Sequence, residues 1–155
     1  MGARAYLNAT LGMAATLGAL AFGTNAFAGG IIVDNDEWAL SNYGYGVVPG
    51  TSVPNYVDNV AKALTGGSGN ILIASDNFGL DESDLYNTLT SAGYNVTEAG
   101  AAPLDSLNLS AYKAVYLAGD VLSADYVSKL SSYVNSGGGV YIAAGTGDIP
   151  NENLY

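Results

Sequence analysis

Carboxylates are the main chemistry-bearing groups of this chain. Asp34, Asp36 and Glu37 follow the apolar run Ile31–Val33, and Asp76 follows Ile71–Ala74. Asp120 follows Ala114–Ala118, and Asp148 follows Val140–Ala144. If these runs are parallel strands of one sheet, the acids project from its carboxyl edge, where open parallel sheets bind ligands. Three or more converging carboxylates suit Mg²⁺ or Ca²⁺, which take hard oxygen ligands. Asp34, Asp36, Asp120 and Asp148 are therefore the candidate metal ligands. The competing reading is that these acids only decorate turns, which favour Asp for their own geometry.

Other chemistries are excluded outright. The chain has no cysteine and no histidine. That removes Cys-His and Ser-His-Asp catalysis, histidine general bases and the usual zinc sites. It also removes disulfides, so stability must come from the core. Trp38, Tyr43 and Tyr45 form a second candidate set, in one loop with Gly44 and Gly46. Aromatics there could stack on sugar rings or on a protein partner. Trp38 also reads as a plug that packs the loop onto the sheet edge.

Positioning these residues requires a scaffold, and the apolar pattern supplies one. Strands are expected at Ile31–Val33, Ile71–Ala74, Tyr94–Thr97, Ala114–Ala118 and Val140–Ala144. Asp34 to Thr51 reads as a loop. Pro54 opens a helix with Val53, Tyr56, Val57, Val60, Ala61 and Leu64 at helical spacing. Asp81 to Ala92 reads as a second helix with acids in its first turn. Ser123 caps a third, with Tyr126, Val127, Leu130, Tyr133 and Val134 on its inner face. The glycine runs 66–67 and 137–139 read as helix stops. They precede strands, so they are not phosphate loops. The connection from Gly100 to Lys113 is irregular and carries Leu104, Leu107 and Leu109 across one face.

Strands alternating with helices predict an α/β domain with three layers, a mostly parallel five-stranded sheet and helices on both faces. Right-handed crossovers put the Tyr94–Thr97, Ile71–Ala74, Ala114–Ala118 and Val140–Ala144 strands in that lateral order. Ile31–Val33 is expected as an outer strand beside Val140–Ala144. Only Gly145 to Tyr155 follow that last strand. A covering helix is therefore expected to be missing there, as in a C-terminally incomplete domain, with one face of Val140–Ala144 under-covered.

Residues 1–28 read as a secretory signal peptide. Arg4 lies in the n-region, Leu11–Phe22 is an uncharged apolar run, and Ala26-Phe27-Ala28 is a small-x-small cleavage site. The run is shorter than the roughly 20 residues that span a bilayer. A single domain at 29–155 is expected outside the cytoplasm: secreted, extracellular, at the cell surface or periplasmic. No membrane insertion is expected after cleavage. All 14 acidic residues lie after position 28, against Lys62, Lys113 and Lys129, and the whole chain carries −10. Such a surface disfavours nucleic acid and anionic lipid as partners.

Several segments resemble a known family. The pieces GNILIAS (69–75), SAGYNV (91–96), LSAYKAVYLAGD (109–120) and YVNSGGGVYIAAGTG (133–147) resemble the flavodoxin-like core of the class I glutamine amidotransferase-like superfamily. Asp36-Glu37-Trp38, Leu40 to Gly44, Asn59 and Asn77 to Leu80 look like a group of secreted bacterial proteins that often end in a PEP-CTERM sorting signal. The family's nucleophilic cysteine would fall at Gly145, and its histidine is absent, so the resemblance implies a domain without glutaminase activity. The D-x-D of Asp34 and Asp36, with Gly119-Asp120 and Asp125, also resembles haloacid dehalogenase-like phosphatases. Trp38 stands where that family has Thr or Val, and Lys113 is the wrong side of its strand for the family's lysine.

The resulting expectation is a secreted, non-catalytic domain acting as an extracellular surface, matrix or binding module. Its partner would be an extracellular protein or a carbohydrate, and no cofactor beyond Ca²⁺ or Mg²⁺ is implied. Two alternatives stand beside it. One is a Mg²⁺-dependent carboxylate hydrolase of phosphatase type using Asp34, Asp36 and Asp120. The other is a Ca²⁺-stabilised surface protein.

Overall fold

A computed structural model describes residues 29–48, 50–100, 104–119 and 123–145. The expected leader, Asp120, Asp148 and the stretch from 146 onward lie outside the described residues. Among the described residues, five strands form one all-parallel sheet: β1 (Ile31–Asp34), β2 (Asn70–Ile73), β3 (Asn95–Glu98), β4 (Ala114–Ala118) and β5 (Gly139–Ala143). Their lateral order is β1-β5-β4-β2-β3. The order of β3, β2, β4 and β5 is the one expected from right-handed crossovers, and β1 lies beside β5, also as expected. Strand ends shift from the sequence expectation by a residue or so.

Among the described residues, four α-helices flank the strands: α1 (Asn42–Val47), α2 (Ser52–Thr65), α3 (Ser83–Ser91) and α4 (Ala124–Asn135). α2 starts two residues before Pro54, which sits in the first turn where its missing N–H costs nothing. Gly66 stops α2 in the left-handed conformation, φ 77°. Ser123 caps α4 by accepting the Tyr126 N–H at 3.1 Å.

The side chains of the sheet divide into two cores. Ile71, Ile73, Ala114, Tyr116, Ala118, Tyr141 and Ala143 face α2 and α3. Leu72, Ala74, Val115, Leu117, Val140 and Ile142 face α4. Leu109, in a 3-10 turn of the β3–β4 connection, is buried in this second core, and Leu107 packs against it. The connection therefore lies across the α4 face, as its leucines suggested. The result is a flavodoxin-like arrangement of three layers.

Two expectations about apolar burial need correction. β5 is not under-covered: Val140, Tyr141, Ile142 and Ala143 are all buried. α2 packs on one face and the α4-side core closes the other. The exposed apolar side chains lie one strand further out, at Ile31 (58%) and Val33 (55%) of β1. Val127 is likewise exposed rather than on the inner face of α4. The buried stripe of α4 is Tyr126, Leu130 and Tyr133, and Val127 is rotated about 100° from Tyr126.

The glycine run at 137–139 does more than stop a helix. Only Gly137 has positive φ, 95°. A Cβ on Gly139 would lie 2.7 Å from both Cβ and the carbonyl oxygen of Leu64, so this glycine lets α2 sit directly on β5.

One polar detail of the core is costly. Among the described residues, the buried hydroxyls of Tyr94 and Tyr116 have no hydrogen-bond partner. Tyr116 also stacks on Tyr141, with ring centroids 5.0 Å apart. A buried hydroxyl without a partner loses its hydration and gains nothing in return. Tyr116→Phe keeps the ring and removes that loss. The expected outcome is stabilisation by about 1 kcal/mol, measured as a higher urea midpoint at unchanged slope. A destabilised Tyr116→Phe would mean that the hydroxyl is paired in solution.

Candidate functional site

The β1–α1 segment is folded by its own carboxylates. Asp34 Oδ1 accepts the Asp36 N–H at 3.0 Å, and Asp36 Oδ1 accepts the Trp38 N–H at 3.2 Å. Each Asp thus binds the backbone two residues on, an Asx turn. The D-x-D-x-W spacing is the signature of two such turns in succession. Asp34 Oδ2 also accepts the hydroxyls of Tyr56 at 2.8 Å and Tyr141 at 3.3 Å. Burial, reinforced by the Asp34 hydrogen bond and charge, pushes the Tyr56 hydroxyl up to about 12. Burial and then the Asp34 charge raise that of Tyr141 further.

Next in the chain, buried Ser41 fixes the start of α1. Its Oγ accepts the Gly44 N–H at 3.1 Å and donates to the Trp38 carbonyl at 2.8 Å. Asn42 ties the same turn to the start of α3: its N–H donates to Glu82 at 2.6 Å and its Oδ1 accepts the Asp84 N–H at 3.0 Å. Gly44 is buried because α1 lies against the preceding turn. A Cβ there would sit 2.4 Å from the Trp38 carbonyl oxygen.

Trp38 is held from beneath by Phe78, edge to face at 5.9 Å. Phe78 has φ 53°, the one positive value at a non-glycine among the described residues. Such a conformation costs roughly 1–2 kcal/mol, and strain of this kind clusters at functional sites. Trp38 therefore packs on the fold and still exposes 44% of its surface.

These elements enclose a cleft of about 270 Å³ between the β1–α1 segment, α1 and α2, lined by Trp38, Tyr43, Tyr56, Val47, Val53 and Asp36 among others. Two of the three expected aromatics, Trp38 and Tyr43, meet there. Tyr45 does not: its hydroxyl donates to Thr88 Oγ1 at 2.8 Å, which directs the ring onto α3. The sequence reading missed α1, because Gly44 and Gly46 argue for a loop. It also missed Tyr56, which it placed in the core. The stripe Val53, Val57, Val60, Ala61 and Leu64 already fills the buried face of α2. Tyr56 lies three residues after Val53 and four before Val60, at the margin of that stripe, so its spacing alone did not separate it from the core.

The proposed metal ligands divide differently. Asp34 and Asp36 lie two residues apart beside the cleft and are engaged by the hydrogen bonds above. Asp120 and Asp148 lie outside the described residues. Among the described residues, no three His, Cys, Asp or Glu side chains gather in a metal-holding group. At Gly145, a Cβ would lie 1.6 Å from the Glu37 carboxylate. Glu37 thus occupies the space that a side chain at 145 would need. At the switch point between β2 and β4, buried Ser75 donates to the Ala118 carbonyl at 2.8 Å and accepts the Asn77 N–H at 3.1 Å. It bridges the crevice where open α/β sheets usually bind ligands. The exposed aromatic surface lies instead at the β1 edge.

Comparison with known family models, with curated proteins and with solved structures returns no match.

Proposed function

We propose that the chain is a secreted, non-catalytic carbohydrate-binding module whose ligand stacks in the Trp38–Tyr43–Tyr56 cleft. The observation that carries this reading is the exposure of Trp38 (44%) and Tyr43 (67%) on one cleft that also presents the Asp36 carboxylate. Aromatic faces cover the apolar faces of pyranose rings, and a carboxylate accepts their hydroxyls. Trp38 is braced by Phe78, so little side-chain entropy is lost on binding. The absence of Cys and His, and a Gly145 overlain by Glu37, support a role without turnover. Residues 1–28 supply the export signal in this reading. The amidotransferase-like and PEP-CTERM-type likeness rests on the sequence motifs quoted above, and the parallel three-layer fold suits it.

The test is binding to soluble cellohexaose, mannohexaose and galactan by affinity electrophoresis and calorimetry. Trp38→Ala is expected to weaken the best of these about thirtyfold, the loss of a hot-spot aromatic worth about 2 kcal/mol. Tyr45→Phe is expected to leave affinity unchanged, because that hydroxyl serves Thr88. Equal binding by Trp38→Ala and the parent would place the ligand elsewhere.

A further inference from the structure

A cavity larger than the aromatic cleft lies at the opposite end of the sheet. It measures about 560 Å³ and opens between the β3–β4 connection, the amino ends of β2 and β4, and the last turns of α4. Its size falls in the range of small-ligand sites.

Its charge is opposite to that of the rest of the molecule. The carboxyl edge carries Asp34, Asp36, Glu37, Asp76 and Glu98. The amino-edge cavity is lined by Lys113 and Lys129, two of the three lysines after position 28, and by no Asp or Glu. Lys129 is half-buried and donates to the carbonyls of Asp105 and Leu107 at 2.8 and 2.5 Å, which fixes its position in the wall. Lys113 is exposed, and its ammonium has no partner among the described residues. Its stem lies against Gly69, where a Cβ would meet Lys113 Cγ at 2.7 Å. A side chain at 69 would push the lysine out of this position.

The remaining lining is made of amides, hydroxyls and an aromatic. Asn70, Asn108, Ser132 and Tyr133 contribute to it. The end of α4 does not oppose an anion strongly, since the carbonyls of Ser132, Tyr133 and Val134 are already paired with the N–H groups of residues 136–138. Lysine is a compact single charge, without the fork that grips phosphate in a bidentate manner. One free ammonium among amides and hydroxyls matches a monocarboxylate that carries many hydroxyls.

We infer that this cavity is a second, independent site, for a carboxylated sugar of the uronate type, with the carboxylate on Lys113. This site is independent of the Trp38 cleft and can succeed or fail apart from it. The experiment is calorimetric titration of the full chain with trigalacturonate, with neutral galactotriose, and with monomeric galacturonate. Trigalacturonate is expected to bind, and galactotriose at the same concentration is not. Lys113→Gln is expected to weaken trigalacturonate about tenfold, the loss of one charge-assisted hydrogen bond. Lys113→Arg should recover part of it, and Trp38→Ala should leave it unchanged. Monomer binding with the same Lys113 dependence would assign the site to free sugar acids; trimer-only binding would assign it to a polymer. Equal affinity for the neutral trimer, no binding of either acid, or indifference to Lys113→Gln would each overturn the inference.

Discussion

Replacing Gly44 by alanine is expected to cost about 2 kcal/mol, whereas the same change at Gly46 should add about 0.5 kcal/mol. Both glycines sit in α1, two residues apart. Propensity alone would make both substitutions favourable, since alanine is preferred to glycine in a helix by about 1 kcal/mol. Surroundings decide the sign. A Cβ on Gly46 meets nothing within 4 Å. A Cβ on Gly44 would meet the carbonyl oxygens of Trp38 and Ala39 at 2.4 and 2.6 Å. These are backbone atoms held by the Ser41 and Asp36 hydrogen bonds, so they cannot yield cheaply. Thermal unfolding should show Gly44→Ala melting about 8 °C lower and Gly46→Ala about 2 °C higher, at about 4 °C per kcal/mol for a domain of this size. The Gly44→Ala change should also weaken saccharide binding, because α1 and the Trp38 turn form two walls of one cleft. Two stabilised variants would show that α1 does not pack on that turn.

Alkaline pH is the second large lever. Burial raises the hydroxyls of Tyr116, Tyr133 and Tyr141 above their ordinary value of 10.0, that of Tyr133 to about 12. Tyr56 moves the same way, but it is partly exposed and contributes less. The folded state therefore holds these protons where the unfolded state releases them. The stabilisation is complete below pH 10 and is lost as pH rises through the folded values. Each fully buried tyrosine removes about 1.4 kcal/mol per pH unit above 10, so Tyr116 and Tyr141 together remove on the order of 3 kcal/mol per unit, and Tyr133, whose hydroxyl is only half-buried, adds less because solvent screens it. Typical domain stabilities of about 5–15 kcal/mol would be consumed within a few units at most. The tyrosinate absorbance should rise steeply and cooperatively near pH 11–12, together with loss of far-ultraviolet circular dichroism. A gradual titration centred near 10 with the fold intact would mean that these rings are accessible.

The fold was legible because its signals are local and redundant. Val, Ile, Leu and Ala runs separated by amphipathic helices leave few parallel topologies, and handedness leaves fewer. The order of the four strands β5-β4-β2-β3 was read from that, while the place of β1 beside β5 was an added expectation that the sheet bears out. What was not legible depends on contacts between distant segments. Tyr56 reaches Asp34 across 22 positions, and Tyr141 reaches it across 107. Ser41 and Glu82 hold α1 in a stretch whose glycines argue for a loop. The coverage of β5 was misjudged for a similar reason: α2 packs on it through Gly139 and Leu64, a contact that no periodicity announces. Among the candidate residues, type and spacing identified Trp38 and Tyr43. They misplaced Tyr45, because a helix turns residues two apart to different sides where a loop would not.

Trp38 is the only tryptophan of the chain, so its fluorescence reports on the cleft alone. The direct measurement is a fluorescence titration of the native chain with cellohexaose, mannohexaose and galactan, with Tyr43→Ala run in parallel. If the cleft is the binding site, at least one neutral saccharide shifts or quenches the emission saturably, and Tyr43→Ala moves the midpoint to higher concentration. Saccharide binding detected by calorimetry with no change in Trp38 emission, or no saturable binding of any of the three, would contradict a carbohydrate site at Trp38.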